Sequence, residues 1–89
     1  MIRKDFEICN KLGLHARAAA KLVQCATSFE SQIDIERCAQ SVNCKSIMGV
    51  MMLAASQGTT VTVEAKGNDE EEAIMAIGTL IGERFGEPE

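Results

Sequence analysis

Apolar and polar residues alternate from the start of the chain: Ile2, Phe6 and Ile8 share one parity, while Arg3, Asp5 and Glu7 take the other. This period of two predicts a strand over about 2–9 with one wet face. Asn10, Lys11, Leu12 and Gly13 are turn formers and break the alternation, after which the period lengthens. Ala16, Ala19, Ala20, Val23 and Ala26, flanked by Leu22 and Cys25, make the broad apolar face of a helix over about 16–27, with Phe29 covering its C-terminal end. Ile33 and Ile35 alternate with Gln32, Asp34 and Glu36, and a second polar-rich run ends at Val42. That stretch reads as two strands joined near Cys38 and Ala39. Ser46 is placed to cap a helix of about two turns that ends before Gly58. From Thr59 to Lys66, Val61, Val63 and Ala65 alternate with Thr60, Thr62 and Glu64, giving a fourth strand that turns at Gly67 and Asn68. The last helix opens with Asn68 or Asp69 as its cap and acids through Glu72, where the helix dipole favours negative charge. It continues with Ala73, Ile74, Ile77, Leu80 and Ile81 and ends at Gly86 and Pro88. Inside it, Gly78 and Gly82 each cost about 1 kcal/mol relative to Ala, which predicts close packing against the sheet.

The order is strand, helix, strand, strand, helix, strand, helix, and every strand has one apolar face. It specifies an α+β fold, with a single antiparallel sheet covered on one side by helices. No linker, repeat or low-complexity tract divides residues 1–89, so one domain is expected. With 46% hydrophobic and 3% aromatic residues, the interior must be built from Ile, Val, Leu, Met and Ala. A net charge of -4 and the absence of Trp and Tyr argue against nucleic acid as a partner. Apolar stretches such as Ile47 to Ala55 fall far short of the roughly 20 residues a bilayer needs, so no membrane insertion is expected. Nothing behind the first charges resembles a signal peptide, and the expected location is the cytoplasm. Cys9, Cys25, Cys38 and Cys44 form no Cys-x-x-Cys and the chain has one His, so no metal site and no cofactor are expected. The cysteines read as small, buried or half-buried apolar side chains in a reducing compartment.

The lone His15 stands between a Gly-containing turn and an Ala-rich helix. The free N–H groups of Ala16, Arg17 and Ala18 point outward there and, with the positive helix end, make a seat for an anion. Arg17 adds a planar fork suited to phosphate. The same positive end disfavours imidazolium, leaving an exposed, neutral ring able to act as a nitrogen nucleophile. A His-x-Arg by itself is more often a helix cap followed by a solvated charge, and local context alone does not overturn that reading.

The longer run Asn10-Lys11-Leu12-Gly13-Leu14-His15-Ala16-Arg17-Ala18-Ala19-Ala20-Lys21-Leu22 resembles the active-site segment of the HPr family of phosphocarrier proteins. Lys45-Ser46-Ile47-Met48-Gly49-Val50-Met51-Met52-Leu53 resembles that family's second signature, and Gly58 to Ala73 its closing strand and helix start. The resemblance implies an HPr-like two-layer open-faced sandwich, sheet order 1-4-2-3, topology βαββαβα. It also implies a role in which enzyme I passes a phosphoryl group to the Nδ1 nitrogen of His15, which hands it to IIA-type domains of the sugar phosphotransferase system. Arg17 and the backbone N–H groups of Ala16 and Ala18 would stabilise the phosphoryl group. Most members carry proline where this chain has Ala18; proline would preorganise the first turn, whereas alanine keeps an amide donor.

Ser46 reads as an N-cap, and its surroundings resemble those recognised by HPr kinase/phosphorylase, which makes it the implied regulatory acceptor. A phosphoryl group is favourable at that helix end, so added charge without unfolding is expected. Met48, Met51 and Met52 fit a core, but a short helix on a one-sided sheet cannot bury them all. Ile47, Met48 and Met51 near Leu14 and His15 would then form an adaptable apolar docking patch, rimmed by Arg17, Lys21 and Lys45. Where other members carry more positive charge on the first helix, this chain has Gln24 and Thr27. The reading is therefore a monomeric phosphocarrier and not a turnover enzyme. Its alternatives are a nitrogen-related carrier in a regulatory relay, and a regulatory module binding a small molecule without covalent chemistry.

Overall fold

The computed structural model describes all of residues 1–89. Its elements are β1 (Ile2–Glu7), α1 (Ala16–Thr27), β2 (Gln32–Arg37), β3 (Gln40–Asn43), α2 (Ile47–Met52), β4 (Thr60–Lys66) and α3 (Glu70–Gly82), followed by a 3₁₀ turn, Arg84–Gly86. The strands form one antiparallel sheet in the order β1-β4-β2-β3, the α+β architecture and topology expected. In the register Ile2 pairs with Ala65, Phe6 with Val61, and Ile35 with both Val63 and Val42. These apolar pairs share a face, which is why the helices lie on that side only. β1 ends earlier than the alternation suggested. Ile8 still exchanges backbone bonds with Thr59 and Gly58, but its side chain is fully buried and Cys9 beyond it is exposed.

The buried cluster unites the sheet's inner face with Ala18, Ala19, Leu22 and Ala26 of α1 and Ala73, Ile74, Ile77 and Ile81 of α3. Alanine at the α1 contacts lets its backbone lie close to α2 and α3. β2 and β3 are joined at Cys38 and Ala39, both with positive φ (51° and 66°), the turn conformation that matches strand twist.

Three details depart from the sequence reading. Gly78 is closely packed, since a Cβ there would fall 2.7 Å from Phe6 Cε1; Gly82, exposed at the last residue of α3, has nothing within 4 Å. Asp69 holds the N-cap position of α3 without capping it. Its carboxylate instead accepts from the backbone N–H groups of Glu30 and Ser31, each at 2.9 Å, and from the Ser31 hydroxyl. These bonds, the Ser31 hydroxyl foremost, hold the Asp69 carboxyl below its ordinary range and tie the α1–β2 loop to the start of α3. Finally, α3 ends at Gly82, before the Gly86 and Pro88 expected to end it. Arg84, Phe85 and Gly86 all have positive φ, reversing the chain and burying Phe85 completely.

Candidate functional site

Gly13 sets up the site. It has φ +68°, and a Cβ there would lie 2.4 Å from the Ala55 carbonyl oxygen, so only glycine lets the turn approach that strand-entry loop. The Leu14 N–H then donates to Ala55 O at 2.9 Å, which directs the Leu14 side chain inward. Leu14 is 5% exposed and belongs to the core, not to a surface patch as expected.

His15 follows as the N-cap of α1, with extended backbone and a carbonyl that accepts from Ala19 N–H at 2.8 Å. Its side chain does not cap, and the N–H groups of Ala16, Arg17 and Ala18 have no partner in the protein. The ring is half-buried, where full exposure was expected, because the C-terminal segment folds back over it. Glu87 places a carboxylate oxygen on Nε2, while Nδ1 has no partner. The second Glu87 oxygen accepts from Asn10 Nδ2 at 2.9 Å, and the fully buried Asn10 also donates to Gly13 O at 2.8 Å. Asn10 in the first place, then His15 and the charge of Arg17, hold the Glu87 carboxyl below its ordinary range. Beyond it, the Lys11 N–H donates to Glu89 O at 2.9 Å, and Lys11 Nζ lies 3.7 Å from a Glu89 carboxylate oxygen. His15, Arg17, Lys11, Leu12, Glu87 and Pro88 are among the residues lining an open cleft of about 750 Å³.

Of the expected basic rim, only Arg17 is exposed and free of hydrogen bonds and ion pairs. Lys21 Nζ donates to Phe85 O at 2.7 Å and Lys45 Nζ to Phe29 O at 2.8 Å. Both amines cover carbonyls at chain reversals, so their charges are less available to a partner than expected. Ser46 caps α2, its hydroxyl accepting from Gly49 N–H at 3.1 Å. α2 packs beside α1 and leaves Ile47, Met48 and Met51 on the surface, with Met48 70% exposed. Met52 and Leu12 are as exposed and were not anticipated. Nor were Asn10, Phe85 and Glu87. No local pattern links position 87 to position 15, 72 residues away.

No three His, Cys, Asp or Glu side chains come together as a metal site. The cysteines are free; Cys44 is buried and Cys25 half-buried as expected, whereas Cys9, just beyond β1, and Cys38, in the β2–β3 turn, are exposed. Burial pushes the Cys44 thiol up to about 12 and raises that of Cys25. No helix is long and apolar enough to cross a membrane.

Residues 2–83 match the family model described as the PTS HPr component phosphorylation site. The chain is 57% identical to the phosphocarrier protein HPr of Cupriavidus necator over 89 residues, the whole of both chains. It superposes with a TM-score of 0.96 on the crystal structure of HPr-C-His from Thermoanaerobacter tengcongensis, at 53% identity and with both chains fully covered. A crystal structure of an HPr dimer from the same organism gives a TM-score of 0.79 at 54% identity, covering 98% of this chain and 100% of that one. With fold, sequence and full-length coverage in agreement, the chain belongs to the HPr family, whose members are phosphocarriers of the phosphotransferase system and not enzymes.

Proposed function

We propose that this carrier, a single domain over residues 1–89 working in the cytoplasm, accepts a phosphoryl group on His15 Nδ1 from phospho-enzyme I and passes it to IIA-type domains. One observation carries the reading: Nδ1 has no protein partner and its residue caps a helix whose Ala16, Arg17 and Ala18 N–H groups are unpaired, with the exposed Arg17 guanidinium close by in sequence. In the accepting step the Nδ1 lone pair bonds phosphorus as the donor–phosphorus bond breaks, its electron pair leaving with the donor. The amides and Arg17 meet the charge on the phosphoryl oxygens. The cleft is open, and that suits a carrier. Every 1.4 kcal/mol or so of extra stabilisation of the phosphorylated form shifts the transfer equilibrium tenfold against the next acceptor.

Ile47, Met48 and Met51, joined by Met52 and Leu12, are read as the docking face for successive partners, because flexible apolar side chains adapt to unlike surfaces. Ser46, capping the helix that carries this face, is read as the acceptor for HPr kinase/phosphorylase. Its phosphorylation would add charge beside the docking face and weaken docking with little structural change. The Lys45–Leu53 segment favours the sugar branch over the nitrogen-related one. The carrier is read as a monomer, which sedimentation checks. Incubation with enzyme I and labelled phosphoenolpyruvate should give an acid-labile label that is absent in His15→Ala and passes to a IIA domain. Label that survives His15→Ala, or none in the unaltered protein, would refute the assignment.

A further inference from the structure

The tail that covers the site is held on both sides of Glu87. Before it, Phe85 is fully buried and its carbonyl accepts from Lys21 Nζ at 2.7 Å; after it, Glu89 O accepts from the Lys11 N–H. Between these anchors the Glu87 side chain is only 10% exposed, one oxygen on Asn10 and the other on His15 Nε2. Asn10 is itself fixed, fully buried and bonded to Gly13 O.

We infer that Glu87 is a positioning residue for phosphoryl transfer, delivered by the folded-back C-terminal segment to set the tautomer and balance the charge of the His15 ring. The inference rests on the reading of His15 as the phosphoryl acceptor. An ionised carboxylate can only accept a hydrogen bond, so the proton of the neutral ring lies on Nε2 and the Nδ1 lone pair faces outward. Bonding of that lone pair to phosphorus leaves the proton in place and gives the ring a positive charge, opposite Glu87. In the donating step the Nδ1–phosphorus bond breaks and its pair returns to Nδ1. The leaving group is then a neutral imidazole still protonated on Nε2. Neither step requires proton exchange with solvent. The arrangement has the logic of a carboxylate that orients a catalytic imidazole and offsets its charge, here without a third nucleophilic residue.

The test uses the full-length protein with Glu87→Ala and Glu87→Gln, folding being checked by circular dichroism. Nitrogen-15 spectra of His15 should show a fixed Nε2–H tautomer in the unaltered protein and in Glu87→Gln, and a mixture in Glu87→Ala. With phosphoramidate as the donor, phosphorus NMR should show Nδ1-phosphohistidine alone in the first two and an added Nε2 product in Glu87→Ala. Transfer from enzyme I should slow about tenfold in kcat for Glu87→Ala, with KM little changed and Glu87→Gln intermediate. An unshifted tautomer, unchanged regiochemistry and an unchanged rate in Glu87→Ala would overturn the role of Glu87 alone. Failure of the unaltered protein to take up label from either donor would overturn the acceptor reading as well.

Discussion

The two glycines of α3 should respond to the same substitution with opposite signs. In a helix interior Gly→Ala contributes about 1 kcal/mol through backbone entropy. At Gly78 this gain meets an obstacle, because the new methyl would lie 2.7 Å from Phe6 Cε1 and 3.1 Å from Cζ. Restoring ordinary contact requires the ring to move by more than half an ångström. Phe6 is half-buried against the core, pairs with Val61 across the sheet and carries Lys4 Nζ 5.7 Å above its ring. Overpacking of this kind costs about 1–3 kcal/mol, so Gly78→Ala should be destabilising by about 1 kcal/mol net, or about 4–8 °C in Tm. Gly82→Ala meets nothing within 4 Å and should stabilise by about 0.5 kcal/mol. In a Phe6→Leu background the obstacle shrinks and Gly78→Ala should become favourable, a sign change that a double-mutant cycle by urea denaturation reads directly. A rise in stability for Gly78→Ala in the unaltered background, or the same loss with Phe6 or Leu at position 6, would refute the steric account.

Ser46→Ala removes the acceptor for Gly49 N–H and should cost about 1 kcal/mol in thermal denaturation, whereas Ser46→Asp, itself a good cap, should cost almost nothing while weakening enzyme I binding in calorimetry. Equal loss of stability in both would show that capping is not what Ser46 contributes. Phe85→Ala empties a fully buried position and should cost about 3–5 kcal/mol, with hydrogen exchange at residues 83–89 rising more than at β4. Uniform exchange across the chain would deny the anchoring role of that side chain. Glu87, Asp69 and Glu70 are all held below their ordinary carboxylate values, by Asn10, by Ser31 and by the N-terminal ammonium respectively. Because the folded state binds these protons less readily than the unfolded chain, their contribution is complete above about pH 5 and is lost as the pH falls through the folded values. Urea midpoints measured from pH 7 to pH 2 should therefore decline below about pH 4.5, and less steeply in Asp69→Asn. A flat profile would contradict the contacts.

The alternation of Ile2, Phe6, Ile33, Ile35, Val61 and Val63 determined by itself that the chain forms strands with one buried face, and the Ala-rich stretch from Ala16 determined a helix with a broad apolar face. Periodicity is local and survives without knowledge of the fold. The same holds for His15 and Ser46, since a cap is defined by the residues that follow it. What the sequence left open depends on contacts between distant segments. Nothing near Asp69 reveals that Glu30 and Ser31 would claim its carboxylate, or near Gly82 that it would face open space while Gly78 meets a ring. Lys21 and Lys45 read as a free rim because only the folded chain brings the carbonyls of Phe85 and Phe29 within reach. The tail is the sharpest case. Its left-handed turn at Arg84, Phe85 and Gly86 has no periodic signature, yet burial of Phe85 steers Glu87 onto Asn10 and His15. Side-chain pairing over such separations is decided by how the layers pack, and so the imidazole could be read from its neighbours in sequence while the carboxylate behind it could not.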